Sequence, residues 1–289
     1  MQIVTDSGTD LSLSPEQIAE MEIHVVPLIV TLDGESYSEG IDIDPQTFYR
    51  RLEASKGLPT TSQPAAGEFA EIYRRLAADD PDILSIHISS GLSGTFHSAQ
   101  AGAQLVPEAN VTLVDTKTLS GAAGWQVLSA VRARLAGWTK EQILPLLDRV
   151  SAASDSLFTL RELKYLIHGG RISHMKGLIA SALNIKPMIG VEKVGGTYEQ
   201  HGQVRTFRRA VQGLVKLIAR QHPSGSALHV QVMHAQNPEG AEMLHDLLDA
   251  EFECTWRPTD QMSLVLGAHT GPSMVGVAYA PQSAFAGLP

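Results

Sequence analysis

Apolar and polar residues fall in blocks along this chain, and the blocks change period. Short apolar runs predict strands at Gln2–Thr5, Val25–Leu32, Ile83–Ser89, Val111–Asp115 and Leu157–Leu160. Further runs predict strands at Ile185–Val194, Ala227–Ala235, Phe252–Arg257 and Leu264–Ala268. Several are apolar throughout rather than at every second residue, the mark of strands covered on both faces. Helix-start signals lie between them. Ser14-Pro15-Glu16-Gln17 combines a capping serine, proline at the first helical position and glutamine three residues after the cap. Asp44-Pro45 and Asn237-Pro238-Glu239 open helices in the same way. From Thr206 to Arg220, Phe207, Ala210, Val211, Leu214, Val215 and Ile218 form one apolar stripe with basic residues opposite. Strand–helix alternation predicts an α/β protein with mainly parallel sheets. The polar stretch Arg149–Asp155, after a long helical region, predicts a boundary between domains 1–153 and 154–289.

With 289 residues the chain can bury substantial cores without disulfides or metals. Its 22 basic and 31 acidic residues give a net charge of −9, which speaks against general nucleic-acid binding. The single cysteine, Cys254, excludes a disulfide framework. Met1–Asp6 lacks the basic start and apolar stretch of a signal peptide, and the apolar run Val25–Val30 is too short to span a bilayer. A cytoplasmic location is the expectation.

Common catalytic signatures are missing. There is no Walker-type phosphate loop, no G-x-G-x-x-G, no H-E-x-x-H and no G-x-S-x-G. Ser173-His174-Met175-Lys176 fits S-x-x-K without the companion motifs, so it reads as chance. The 11 histidines lack metal-ligand spacing, and neither a metal nor a cofactor is expected.

Four polar clusters remain. Ser89-Ser90-Gly91-Leu92-Ser93-Gly94-Thr95 follows a strand and opens a helix, where unpaired backbone N–H groups and hydroxyls can hold an anion. Thr60-Thr61-Ser62-Gln63-Pro64 precedes the helix around Ala66–Ala78. Gly169-Gly170-Arg171-Ile172-Ser173 offers a guanidinium for a two-pronged anion contact. Gly267-Ala268-His269-Thr270-Gly271-Pro272 places a histidine and a threonine between glycines after an expected strand. Each cluster alone also fits helix capping or a tight turn. Together they supply hydroxyls, an arginine and a histidine suited to an anion.

In these same segments the sequence resembles the DegV family, also described as the fatty-acid-binding subunit of bacterial fatty acid kinase. Ile3-Val4-Thr5-Asp6-Ser7 with Asp10-Leu11 is similar to the family's opening strand and turn. Thr61-Ser62-Gln63-Pro64, Ile88-Ser89-Ser90 with Leu92-Ser93-Gly94-Thr95, Gly169–Ser173, Leu183-Asn184-Ile185-Lys186-Pro187 and His269-Thr270-Gly271-Pro272 resemble its other motifs, in order. Ala65, Phe96-His97, Ala268 and Ser273 depart from the usual residues beside these motifs.

The resemblance implies two α/β domains with a long-chain fatty acid between them. Its carboxylate would meet Thr61, Ser62, Ser93, Gly94, Thr95, Arg171, His269 and Thr270. The acyl chain would enter a tunnel in the C-terminal domain, with Phe158, Leu163, Ile172, Ile179, Leu183, Ile185 and Met188 as candidate walls. Burying roughly 14 methylenes at about 0.8 kcal/mol each gains on the order of 10 kcal/mol before binding costs. The implied partner is a separate ATP-dependent kinase subunit that phosphorylates the presented carboxylate, so this chain would not itself be the enzyme. Arg205, Arg208 and Arg209, at the start of a helix in an acidic chain, are expected to dock that kinase or an anionic membrane surface. The rival readings are a serine hydrolase of acyl esters, with Ser93 as nucleophile and His269 as base, and a passive lipid store or sensor.

Overall fold

Ser14, Asp44 and Asn237 each accept a hydrogen bond from a backbone N–H of the helix they precede, at 3.3, 2.9 and 3.1 Å. These caps fix three of the helix starts in a computed structural model that describes residues 1–180 and 185–288. The chain begins with β1 (Gln2–Asp6), a 3-10 turn at Ser7–Thr9, α1 (Pro15–Glu20), β2 (Ile23–Val26), β3 (Ile29–Leu32) and β4 (Glu35–Ser38). It continues through α2 (Pro45–Ala54), β5 (Thr60–Ser62), α3 (Ala66–Ala77), β6 (Asp82–His87), α4 (Thr95–Gln104) and β7 (Asn110–Asp115). Two long helices follow, α5 (Ser120–Leu135) and α6 (Lys140–Ala153). Then come β8 (Asp155–Thr159), α7 (Lys164–Gly169), α8 (Lys176–Ala180), β9 (Lys186–Val191) and β10 (Tyr198–Val204). The last elements are α9 (Phe207–Ile218), β11 (Ala227–His234), α10 (Pro238–Asp249), β12 (Glu253–Trp256), β13 (Asp260–Gln261), α11 (Leu264–Thr270) and β14 (Val275–Pro281).

The first sheet has the order β2-β1-β6-β7 and is parallel throughout. Strand order reverses between β1 and β6, so the loops leaving their carboxyl ends lie side by side, the usual ligand crevice of such sheets. There the Asp6 carboxylate meets the His87 ring at 2.9 Å, and His87 reaches Ser85 at 2.7 Å. A small antiparallel sheet, β4-β3-β5, holds Thr61 and Ser62 next to this edge.

The second sheet has the order β10-β9-β8-β14-β11-β12, with β13 also paired to β11. The expectation of a mainly parallel sheet is corrected here. Only β12 and β13 run parallel to β11, while β14 runs antiparallel to both of its neighbours. Strand β14 carries Gly276 and two alanines in an apolar run, a composition too weak in β-branched residues to mark it beforehand.

Two further expectations change. The run Val25–Leu32 is two strands, because β2 ends just before Pro27 and β3 starts at Ile29. Leu264–Ala268 is not a strand but part of helix α11, whose seven residues are all buried. A short run that is apolar on every side carries no period, so sequence cannot separate the two. The α9 stripe from Phe207 to Ile218 packs as expected, between the second sheet and α10. Ser154 joins α6 to β8, and core residues from both sides of it share one cluster, with Leu28, Ile88 and Leu119 packed alongside Phe158, Tyr198 and Met262.

Candidate functional site

Four segments from distant parts of the chain close around one pocket. Strand β5 brings Thr61 and Ser62, the loop after β6 brings Ser93, the turn after α7 brings Arg171, and α11 brings His269. Leu28, Gln63, Ile88, Leu92, Leu119, Tyr198, Val265 and Leu266 complete its walls.

Each polar group is oriented by its element. The Ser93 backbone N–H donates to the Ser89 carbonyl at 3.0 Å, which folds the loop back on itself. The Ser93 hydroxyl accepts from the Thr95 N–H at 3.3 Å and lies 2.8 Å from the Thr95 hydroxyl, at the start of α4. The Thr61 hydroxyl lies 2.7 Å from His269 Nε2. Gly169 packs against the imidazole, where any Cβ would collide with Nδ1. Burial, reinforced by the nearby Arg171 and His168, pushes the His269 pKa down to about 3. The ring is therefore neutral at physiological pH, with one donor and one acceptor nitrogen.

Arg171 donates from Nη1 to the Gly169 carbonyl at 2.6 Å and from Nε to the Leu92 carbonyl at 3.3 Å. Burial lowers its pKa, yet a guanidinium stays charged in proteins. No carboxylate pairs with it among the described residues. The pocket thus combines one uncompensated cation, hydroxyls and a neutral imidazole. That set suits a single carboxylate or phosphate oxygen cluster.

An apolar cavity adjoins the pocket, lined by Phe158, Met233, Met262, Met274 and Val277 among others. Leu119 and Tyr198 border both spaces, so a ligand with a polar head and an apolar tail could lie across them. Three methionines are flexible enough to reshape around a chain.

The structure gathers Thr61, Ser62, Ser93, Arg171 and His269 as expected, and adds Gln63, Leu119 and Tyr198. Gln63 stands inside the Thr61–Pro64 motif and was legible there. Gly94, Thr95 and Thr270 are not among the residues lining this pocket. Thr95 is fully buried with its hydroxyl on Ser93, and a Cβ at Gly94 would lie 2.9 Å from the Gln63 amide. The Thr270 hydroxyl donates to the Leu266 carbonyl at 3.1 Å and borders the apolar cavity instead.

Of the expected tunnel residues only Phe158 lines that cavity. Leu163 and Ile172 are buried in the surrounding core, and Ile179 and Ile185 pack against it. Met188 faces the other side of β9, against Gly213 of α9, so it belongs to a separate core. Leu183 lies outside the described residues. Arg205, Arg208 and Arg209 are exposed around the start of α9 and form no ion pair among the described residues. No group of His, Cys, Asp and Glu that could hold a metal occurs among the described residues, and no helix among them is long and apolar enough to cross a membrane.

Comparison with known proteins gives a consistent picture. A family model described as an uncharacterised protein of the DegV family matches residues 1–282. A DegV domain-containing protein of Staphylococcus aureus is 36% identical over 275 residues, covering 95% of this chain and 96% of the relative. One from Deinococcus radiodurans is 35% identical over 285 residues, covering 98% and 99%. Among solved structures, a DegV family protein from Thermus thermophilus described as binding fatty acid superposes with a TM-score of 0.87 at 28% identity, covering 97% and 99%. DegV from Bacillus subtilis, described as a fatty acid binding protein, gives a TM-score of 0.85 at 28% identity with the same coverage. On its sequence from end to end and on its fold, this chain belongs to the DegV family.

Proposed function

We propose that this protein binds a long-chain fatty acid and presents its carboxylate to a separate ATP-dependent kinase subunit, which converts it to an acyl-phosphate. The carboxylate would lie among Thr61, Ser62, Ser93, Arg171 and His269, and the acyl chain in the adjoining cavity. The observation that carries this reading is the uncompensated Arg171 cation, facing hydroxyls and a neutral imidazole across a wall shared with an apolar cavity. The fatty-acid-binding relatives from Thermus thermophilus and Bacillus subtilis support the ligand class.

The site lies where the units 1–153 and 154–289 meet in this proposal, since its residues come from both. Arg205, Arg208 and Arg209 would dock the kinase, or transiently an anionic membrane surface, through their exposed positive charge. A cytoplasmic location follows from the need to meet an ATP-dependent enzyme. The geometry gives the hydrolase reading no support. His269 contacts Thr61, and its Nδ1 side is covered by Gly169, with no carboxylate among the described residues to orient it.

Native mass spectrometry of the purified protein tests the ligand, with a bound long-chain fatty acid as the expected result. Arg171→Met should weaken fatty-acid binding by roughly 10- to 150-fold, the worth of a charge-assisted hydrogen bond. Adding the kinase subunit and ATP should yield acyl-phosphate; binding without turnover would leave a passive store. Reversing Arg205, Arg208 and Arg209 to Glu should slow turnover while leaving fatty-acid affinity nearly intact, and normal turnover at low salt would remove their docking role.

A further inference from the structure

Helix α11 carries His269 but has only seven residues, too few to hold a place by its own helical stability. Its position is imposed from outside. At its start, the Ser263 N–H donates to Asp10 Oδ1 at 2.7 Å, and the Ser263 hydroxyl donates to Glu39 Oε2 at 2.7 Å. The Leu264 N–H donates to Glu39 Oε1. In its middle, Gly267 lies against the Tyr49 hydroxyl so closely that a Cβ would collide with it. At its end, His269 meets Thr61.

The two carboxylates are themselves anchored. The Ser7 hydroxyl donates to Glu39 Oε2 at 2.6 Å, and the Ser120 hydroxyl donates to Asp10 Oδ2 at 2.5 Å. Asp10 and Ser120 both hold left-handed backbone angles, with φ of 41° and 54°, a conformation unfavourable for residues with side chains. Neither carboxylate has a basic partner among the described residues. A neutral serine or asparagine would cap a helix without burying charge. Two uncompensated carboxylates and two strained backbones are an expensive way to do no more than that.

We infer that Glu39, assisted by Asp10, is a positioning residue for the head-group pocket, acting through α11 to set where His269 meets Thr61. This deepens the fatty-acid reading above and rests on it. Glu39 accepts from a backbone N–H and from two hydroxyls at once, and protonation turns one of those acceptor sites into a donor.

Acid should therefore loosen the clamp. Burial raises the carboxyl pKa of both Glu39 and Asp10. The groups facing them are acidic or phenolic: Asp6 and Asp10 around Glu39, Glu39 and Asp260 around Asp10, and Tyr49 beside both. Both side chains border a surface cleft of about 480 Å³, which gives protons access from solvent. The sign separates function from stability. A carboxyl raised in the folded state binds its proton more tightly there than in the unfolded chain, so protonating these two groups favours the fold. Acidification then weakens the clamp without unfolding the protein through them.

The test measures the affinity of cis-parinaric acid across the acid range for wild type and Glu39→Gln, with thermal stability in parallel. Ser263→Ala serves as a milder second variant that leaves both carboxylates in place. Glu39→Gln should bind about tenfold more weakly at neutral pH, roughly 1.4 kcal/mol. Its melting temperature should stay near wild type, and the part of the acid-dependent loss that belongs to Glu39 should vanish. Ser263→Ala should weaken binding in the same direction by less. If both variants bind as wild type does with the same pH profile, the positioning role is overturned. If Glu39→Gln fails to fold, an unchanged affinity and pH profile in Ser263→Ala overturns it. A wild-type protein that does not bind the fatty acid at all would instead refute the fatty-acid reading itself.

Discussion

His269 Nε2 and the Thr61 hydroxyl lie 2.7 Å apart, although 208 residues separate them in the chain. This one contact ties the small β4-β3-β5 sheet to α11 and places a hydroxyl and an imidazole on the same side of a pocket. If both serve a carboxylate, removing either hydroxyl of the pocket should act on binding more than on folding. Thr61→Val and Ser93→Ala are each expected to weaken fatty-acid affinity by roughly 10- to 150-fold, the range for a hydrogen bond to a charged group. Fluorescence titration beside a melting curve checks this, and an unchanged affinity in a folded Ser93→Ala variant would take Ser93 out of the site.

The pH dependence of stability should carry the mark of His269. Its pKa is held down to about 3 in the folded protein, against about 6.5 in an unfolded chain. The unfolded state therefore binds the proton first. His269 contributes its full stability above pH 6.5 and loses it progressively as pH falls toward 3. Replacing it by Gln, which cannot titrate, should flatten the decline of melting temperature over that window. A decline as steep as in the wild type would show that His269 is not buried and neutral.

Ser156 brings a different expectation. Its hydroxyl is buried without a hydrogen-bond partner among the described residues, and the residue borders the apolar cavity. Burying a hydroxyl without a hydrogen bond is unfavourable, by about 1–3 kcal/mol in mutational data. That cost is present before any ligand arrives, so Ser156→Ala should raise the melting temperature and leave fatty-acid affinity nearly unchanged. A melting curve beside a fluorescence titration checks this, and weaker binding in that variant would assign the hydroxyl a partner on the ligand.

The polar residues of the pocket were legible in the sequence because each stands in a short polar cluster at the end of an element. Thr61, Ser93, Arg171 and His269 announce themselves by glycine, serine and threonine neighbours, which is local information. The apolar walls were not legible. Met233, Met262 and Met274 come from three separate segments and converge only in the fold. Met188 shows the same difficulty from the other side. Its place on a buried strand was readable, but the face it occupies depends on what packs above and below that strand. The error at Leu264–Ala268 has a related cause, because full burial erases the periodicity that distinguishes a helix from a strand. The parallel first sheet followed from strand–helix alternation, whereas the middle position of β14 depends on long-range pairing that no local pattern encodes.

That middle position also governs the order in which the molecule can be assembled. Thr159 of β8 pairs with Val275 of β14, well over one hundred residues later in the chain. Ribosomes add roughly 5–20 residues per second, so on the order of 6–20 s separate the emergence of the two strands. Through that interval β8 exposes a backbone edge, and once β11 has been made it too waits for the same partner, since the two end up on either side of β14. The first sheet, complete by Asp115, can form well before then. Nascent chains of this protein thus pass through a stage with a finished first sheet and a split second one, and that is when they most need shielding from one another.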